Sequence, residues 1–332
     1  MKSPLHPLVF KHLRSVQASD KVGLHGFFRR NHDAPRSSRT VYRWQRSLGD
    51  QLLVVPNVLV ERLGLRHAHV FVVNPDPSWL SLPYAVESAW VTPDFCQEVL
   101  YLHCLVPVST VFADVLARYP CARVEVVWSG SGWQSFLQDD YALGVTKPVP
   151  PGTSDLARRL PFVIPAMLEL WTYPNSLPLG WARIRLRLGT SVRQYLPRTR
   201  IQYVNGKTHL TAAFRALKEE ALLQQQLIRY HPLLAQSVEV FLTARMDHDE
   251  VLVFLQRLRP CLHAIETYPM EGGYWCRLLG PHRLLDAIIN VPTIERERLS
   301  GVHFHTKRHP TPVVRFHYET LFDPTKGNWR TA

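Results

Sequence analysis

The sequence predicts an α+β protein in which one pair of modules occurs twice: a helical module that ends in a small β wing, followed by a βαββαβ module. Two observations lead to this prediction. Basic and non-basic blocks alternate twice along the 332 residues, whose net charge is +12. The spacing of apolar residues also changes from helical to strand-like after each basic block. An internal duplication accounts for both observations.

The positive charge is concentrated in two blocks. Residues 1–66 contain 12 Lys and Arg against 4 Asp and Glu, and residues 156–235 contain 12 against 3. Residues 67–155 contain 3 Lys and Arg against 9 Asp and Glu. Residues 236–310 contain 9 basic and 9 acidic residues, and residues 311–332 contain 3 basic and 2 acidic residues. Two modules that meet a polyanion, each followed by one that does not, would produce this alternation.

The first module is predicted to contain three short helices and a wing. Helical spacing occurs in "PLVFKHLRSV", "KVGLHGFFRRNH" and "APRSSRTVYRWQRSLGD". The third helix starts after Pro35 with a serine N-cap and buries Val41, Trp44 and Leu48, so that its arginines point outward. The β-branched stretch "QLLVVPNVLVERLGL" then predicts a two-stranded wing. The third helix fits a groove, and a helical bundle with a solvated arginine face is the alternative.

The second module is predicted to have a β(α)ββαβ order. Strands are indicated in "HAHVFVVNP", "YAVESAWVT", "EVLYLHCLVP" and "ARVEVVWSG", with a helix in "STVFADVLARYP". The first helix would come from "DPSWLSLP" and is therefore reduced or missing. The tryptophans in this module are predicted to fill a core or a subunit interface; they are Trp79, Trp90, Trp128 and Trp133.

The second half repeats the scheme after a linker rich in Pro, Gly and small polar residues. "NGKTHLTAAFRALKEEALL" corresponds to the basic third helix and "LLQQQLIRYHPLLAQ" to the wing. From "SVEVFLTAR" to "GVHFHTKR" the order is a complete βαββαβ, with Gly272 and Gly273 at a hairpin turn. The five cysteines include no CxxC pair, which favours reduced thiols. No apolar run or leader indicates a membrane span or export, so we expect a cytoplasmic protein.

The ordered spacing of these residues resembles the Lrp/AsnC family of transcription regulators, which join a winged helix-turn-helix to a ferredoxin-like ligand-binding and assembly (RAM) domain. The matching residues are Ser37, Val41, Leu48 and Arg62–Leu65 in the first copy, and Gly206, Leu210 and Leu217 in the second. The implied domains are winged helix-turn-helix 1 (1–66), ferredoxin-like domain 1 (67–138), the linker (139–157), winged helix-turn-helix 2 (158–235), ferredoxin-like domain 2 (236–310) and a C-terminal tail (311–332).

The resemblance implies a nucleoid-associated regulator that binds double-stranded DNA, with recognition helices in the major groove and wings on the phosphates. The implied DNA contacts are Arg36, Ser37, Ser38, Arg39, Thr40, Tyr42, Arg43, Arg46 and Arg62, and Lys207, Thr208, His209, Thr211, Arg215 and Lys218 in the second copy. A small-molecule effector would lie at Gly272, Gly273 and Tyr274. Self-association through the ferredoxin-like domains is also implied, either within one chain or between chains.

Two other functions fit the same sequence. An architectural DNA-binding protein without an effector would share the basic modules. Siroheme decarboxylases resemble Lrp/AsnC proteins built from two such units and use histidines and arginines to hold a tetrapyrrole, and the chain has 16 histidines. We expect no catalytic residues, no cofactor and no metal. His303, His305 and His309 alternate like metal ligands, but no carboxylate or cysteine joins them at ligand spacing.

Overall fold

The computed structural model describes residues 52–92, 99–136, 223–230, 237–305, 321–323 and 328–330. The chain divides into two compact units. The first unit consists of residues 1–59, 154–233 and 318–328, and the second of residues 60–153, 234–317 and 329–332. The predicted α+β class is confirmed, and strands are in the majority among the described residues.

The strands described are β1 (Leu52–Val58), β2 (Leu65–Val73), β3 (Ala85–Val91), β4 (Val99–Pro107), β5 (Arg123–Ser129), β6 (Trp133–Phe136), β7 (Leu223–Tyr230), β8 (Val238–Ala244), β9 (Ala264–Met270), β10 (Gly273–Gly280), β11 (Leu299–His305), β12 (Phe322–Asp323) and β13 (Asn328–Trp329). The helices described are α1 (Phe112–Leu116), α2 (His248–Leu258), α3 (Arg283–Ile289) and α4 (Thr293–Arg296), with 3₁₀ turns at Val60–Leu63, Pro77–Ser81 and Arg259–Cys261.

In the first unit, the two segments predicted as wings form a single two-stranded sheet. β1 and β7 pair antiparallel from Leu52 opposite Tyr230 to Val58 opposite Leu223, with an irregularity at Asn57. The prediction of a two-stranded wing in the first copy is therefore wrong, because that segment holds one strand followed by the 3₁₀ turn at Val60–Leu63. Each segment contributes one strand, and the backbone groups of that strand are satisfied by the other copy rather than by its own hairpin.

The second unit contains two sheets with matching connectivity. The first sheet has the order β3-β4-β2-β5, and the second has the order β11-β8-β10-β9-β6. In each, the first strand of the copy lies between its third and fourth strands, as the βαββαβ order requires. The 3₁₀ turn at Pro77–Ser81 stands in the first copy where α2 stands in the second, so the first helix is reduced as expected.

Strand β6 was not predicted. The segment "SGSGW" reads only as a weak turn, yet Trp133–Phe136 leaves the first copy and pairs with β9 of the second sheet. On the opposite edge, Thr92 and Phe304 exchange backbone hydrogen bonds of 2.7 and 3.0 Å. The two sheets are therefore joined at both edges within one chain.

The sheets pack face to face, and helices cover the outer face of the second. All residues of β4 and β8 are buried, because one face of each strand meets the other sheet. Helix α2 begins at a capping box formed by Asp247 and Glu250, which satisfies its first amide groups. It buries Val251, Phe254, Leu255 and Leu258 against the second sheet. Of the four tryptophans predicted to fill a core or an interface, Trp79 is fully buried and Trp90, Trp128 and Trp133 are partly buried.

Candidate functional site

Three histidines meet in the space between the two sheets. His67 and His69 lie two residues apart on β2, so strand geometry places both on the same face. His103 lies opposite His69 on the neighbouring strand β4. All three are buried, and they face the second sheet, where Tyr268 and Trp275 contact them. We call this group the histidine cluster.

The ring nitrogens of the cluster are hydrogen-bonded in two sets. The Nδ1 atom of His67 lies 2.8 Å from Nε2 of His103, so one ring donates and the other accepts. His69 bridges two hydroxyl groups, with Nδ1 3.0 Å from the Tyr101 hydroxyl and Nε2 2.9 Å from Oγ of Ser129. Ser129–His69–Tyr101 is thus a continuous chain of groups that can each give and take a proton.

The second sheet contributes the aromatic wall of the site. The indole of Trp275 stacks on the imidazole of His69, with ring centroids 3.6 Å apart and planes 11° apart. The ring of Tyr268 meets His67, His69 and His103 edge-on, at centroid distances between 5.0 and 5.8 Å. The rings fill the space between the sheets and fix the orientation of each imidazole.

Burial determines the protonation of the cluster. Burial first, and then the charge of neighbouring His103, lower the pKa of both His67 and His69 well below the usual value. Burial and the nearby carboxylate of Glu87 raise the pKa of Tyr101 well above its usual value. Near pH 7 the imidazoles of His67 and His69 are therefore neutral and the phenol of Tyr101 keeps its proton.

Beside the cluster, one arginine crosses from the second sheet to the first. Arg277 on β10 lies 2.8 Å from Glu87 of β3, 3.0 Å from Glu239 and 3.8 Å from Glu266. Burial opposes its charge, but Glu239 and Glu87 raise the pKa of Arg277 above the usual value. Gln134 of β6 donates to Glu266 at 3.1 Å. These carboxylates balance the charge of the buried guanidinium, so Arg277 holds the sheets together and is not open to an external anion.

The turn between β5 and β6 encloses the cluster at Ser129. The carboxylate of Glu61 accepts hydrogen bonds from the backbone and the hydroxyl of Ser131, the latter at 2.6 Å. A Cβ atom at Gly132 would lie 2.4 Å from the ring of Tyr268, so only glycine lets the turn approach this closely. The sequence motif "SGSGW" thus positions the end of the proton chain.

Most residues predicted to contact DNA lie outside the described residues. Arg62 is the exception and lies in the 3₁₀ turn at Val60–Leu63. Gly272 and Gly273, predicted for an effector, form the β9–β10 turn at φ +74° and +158°, where Gly273 also approaches the carbonyl of Ala244. The Tyr274 hydroxyl lies 3.1 Å from Nδ1 of His248. This geometry explains the glycines by the turn, and effector binding there stays a prediction.

The alternating histidines near the end of the second copy do not form a metal site in the described part of the chain. The ring of His303 stacks on Phe71 of the first sheet at a centroid distance of 4.2 Å. Among the described residues, no group of three His, Cys, Asp or Glu side chains is arranged to hold a metal ion. His309 lies outside the described residues. His303 therefore belongs to the packing between the sheets.

The histidine cluster was not predicted from the sequence. The signal was present as "HAHVF" and "YLHC", where histidines occupy inward positions of strands that are otherwise apolar. A single buried histidine is an ordinary core residue. Only the pairing of β2 with β4, and the position of the second sheet, show that three of them meet.

Comparisons with known proteins give two solved structures. One is titled crystal structure of the siroheme decarboxylase NirDL: it is 12% identical, the match covers 90% of this chain and 91% of that chain, and the TM-score is 0.45. The other is titled as the same enzyme in co-complex with an iron-uroporphyrin III analogue: it is 11% identical, with 93% of each chain covered and a TM-score of 0.45. No family model and no curated protein matches the sequence.

These findings correct the prediction of an Lrp/AsnC-type transcription regulator, including its double-stranded DNA partner and its non-enzyme status. Nucleoid association stays a prediction. Both solved structures are named as siroheme decarboxylase NirDL. The physical reason is that excess arginine fits any polyanion, including a polycarboxylate, as well as it fits DNA phosphates. The same correction applies to an architectural DNA-binding protein. Among the described residues, no helix is long and apolar enough to cross a bilayer.

Proposed function

We propose that this chain is an enzyme of the siroheme decarboxylase type, which removes carboxyl groups from a carboxylate-bearing tetrapyrrole. The observation that carries the proposal is the histidine cluster, in which His67, His69 and His103 are buried and hydrogen-bonded to one another or to hydroxyl groups. Buried acid–base groups with shifted pKa values are typical of catalytic sites.

The chemistry of decarboxylation calls for such a group. The bond between the side-chain carbon and its carboxyl carbon breaks, carbon dioxide leaves, and the electron pair remaining on the side-chain carbon takes up a proton. That proton has to come from a donor at the site, and a hydrogen-bonded chain can then replace it. Ser129–His69–Tyr101 and the His67–His103 pair are the two candidate sources in the described residues.

The charge of the chain fits such a substrate. A net charge of +12 suits a polycarboxylate, since arginine forms paired hydrogen bonds with carboxylates as readily as with phosphates. Because Arg277 is buried and already paired with glutamates, we assign substrate carboxylates to other basic residues. In the same proposal, residues 67–138 and 236–310 are two ferredoxin-like domains, and residues 1–66 and 158–235 are helix-turn-helix modules that share the β1–β7 sheet and serve as scaffold.

Incubation of the purified chain with siroheme, in the absence of oxygen, tests the proposal. We expect carbon dioxide release and a product that mass spectrometry finds lighter by one carbon dioxide for each carboxyl group removed. A His69→Asn variant should lose this activity, whereas His282→Asn, at an exposed position before α3, should keep it.

A binding titration completes the test. Adding siroheme should change its visible absorption in a saturable manner. If the chain leaves siroheme intact and gives no saturable change, the proposal is wrong. A sequence-selective change in the electrophoretic mobility of duplex DNA under the same conditions would instead favour a DNA-binding function.

A further inference from the structure

The outer face of the first sheet carries an apolar groove. It lies between α1 and β5, on the face away from the histidine cluster, and has a cavity volume of about 440 Å³. The residues that line it are Phe112, Ala113, Leu116, Ala117, Tyr119, Cys121, Val124, Val126 and Trp128. The described lining is nearly all apolar, although the groove opens to solvent.

The groove exists because the two copies cover their sheets unequally. Between β10 and β11 the second copy places α3, of seven residues, and α4, of four. At the same point the first copy has only α1, of five residues. As a result Leu299 and Val302 of β11 pack against the second core, whereas Val124 of β5 is 37% exposed. An exposed apolar groove of this kind is typical of a ligand-binding or interaction site.

The positively charged side chain of Arg66 lies against Trp128 at one end of the groove. The guanidinium carbon of Arg66 lies 3.7 Å from the ring centroid of Trp128, one of the lining residues. Its Nε atom is buried and has no hydrogen-bond partner among the described residues, and within those residues Arg66 forms no ion pair. Burial lowers the pKa of Arg66. Arg277 is paired with three glutamates, whereas Arg66 has no carboxylate partner in the described residues, so its guanidinium can donate to an external anion.

We propose that the groove binds a small carboxylic acid with a flat apolar body, and that Arg66 binds its carboxylate. The volume falls within the range of about 300–1,000 Å³ that small-molecule sites occupy. The rings of Phe112, Tyr119 and Trp128 offer flat contacts, and the guanidinium geometry matches a carboxylate. Ala68 pairs with Trp128 while His69 faces the other way, so this site is separate from the histidine cluster.

Fluorescence anisotropy titrations with anthracene-2-carboxylate and its neutral carboxamide test this site. The two probes have the same flat body and differ in charge. We expect the wild-type chain to bind the carboxylate at least about tenfold more tightly than the amide, because a charge-assisted hydrogen bond is worth roughly a factor of ten or more.

Variants locate the binding. Arg66→Gln should remove the preference for the carboxylate, whereas Arg123→Gln, an exposed arginine on the same strand as the lining valines, should keep it. Ala117→Trp and Ala113→Trp each add a side chain from an exposed lining position and should abolish binding of both probes. Thermal unfolding identifies which of these two variants is folded.

Equal affinities of the wild-type chain for both probes would overturn the proposal, as would binding that a folded groove-filling variant retains. Either result leaves carbon dioxide release from siroheme untouched, so the two proposals fail independently.

Discussion

The imidazole of His69 lies flat against the indole of Trp275, with ring centroids 3.6 Å apart, although the two residues belong to different copies of the duplicated unit. This contact joins the two sheets at the middle of the sandwich. It also holds His69 in the orientation that its hydrogen bonds to Tyr101 and Ser129 require. In the proposed enzyme, stability and proton transfer therefore depend on the same pair.

Replacing Trp275 by alanine should lower the free energy of unfolding by about 3–5 kcal/mol, because it leaves a large cavity between the sheets. Urea denaturation followed by circular dichroism measures the loss. Val253→Ala, at a position that is 53% exposed on α2, should change stability by less than about 0.5 kcal/mol. Similar values for both variants would mean that the sheets do not pack as described.

Replacing His69 by asparagine should lower the rate of siroheme decarboxylation by about two to four orders of magnitude, the usual contribution of a proton-transfer group. Single-turnover assays measure the rate, and urea denaturation checks that the variant is folded. His282→Asn is the control. Full activity in a folded His69→Asn chain would remove this histidine from the reaction.

Breaking the buried charge cluster should be costly. Arg277→Met leaves Glu87, Glu239 and Glu266 without their cation, so we expect a loss of about 3–5 kcal/mol in the free energy of unfolding. Arg257→Met breaks an exposed pair with Glu295 and should cost at most about 1 kcal/mol.

A compensating variant separates lost packing from unpaired charge. Arg277→Met combined with Glu87→Gln and Glu239→Gln should recover part of the loss. If the triple variant is no more stable than Arg277→Met, the cost comes from packing alone.

The free energy of unfolding should fall as the pH decreases through and below about 6.5, which is the pKa of a histidine in the unfolded chain. Burial lowers the folded-state pKa of His67 and His69, so the unfolded chain binds more protons in this range. The contribution of these histidines to the free energy of unfolding is therefore fully present above their unfolded-state pKa. It is lost as the pH falls toward their folded-state pKa.

Urea midpoints measured from pH 8 to pH 5 test this dependence. A His67→Asn/His69→Asn double variant should show a flatter dependence over that range, because two of the groups that gain protons on unfolding are gone. An unchanged slope in the double variant would assign the effect to other groups.

The sequence predicted the elements of the second unit well where the pattern is local. The strand in "SVEVFLTAR" corresponds to β8, and the helix in "HDEVLVFLQRLRP" to α2, because apolar spacing and the Asp247 cap depend only on neighbouring residues. The glycines at the β9–β10 hairpin were recognised for the same reason. The prediction of the wing was wrong because neighbouring residues do not determine which strand a strand pairs with, and β1 pairs with the distant β7.

By itself, the sequence determined the α+β class and the strongly basic character, since these follow from composition and short-range spacing. Only the tertiary structure decided that β1 pairs with β7, that both sheets face each other within one chain, and that His67, His69 and His103 meet beneath Trp275. Each of these depends on contacts between residues far apart in the chain. Periodicity shows which face a side chain occupies, whereas the residue it meets there is decided by how the sheets pack.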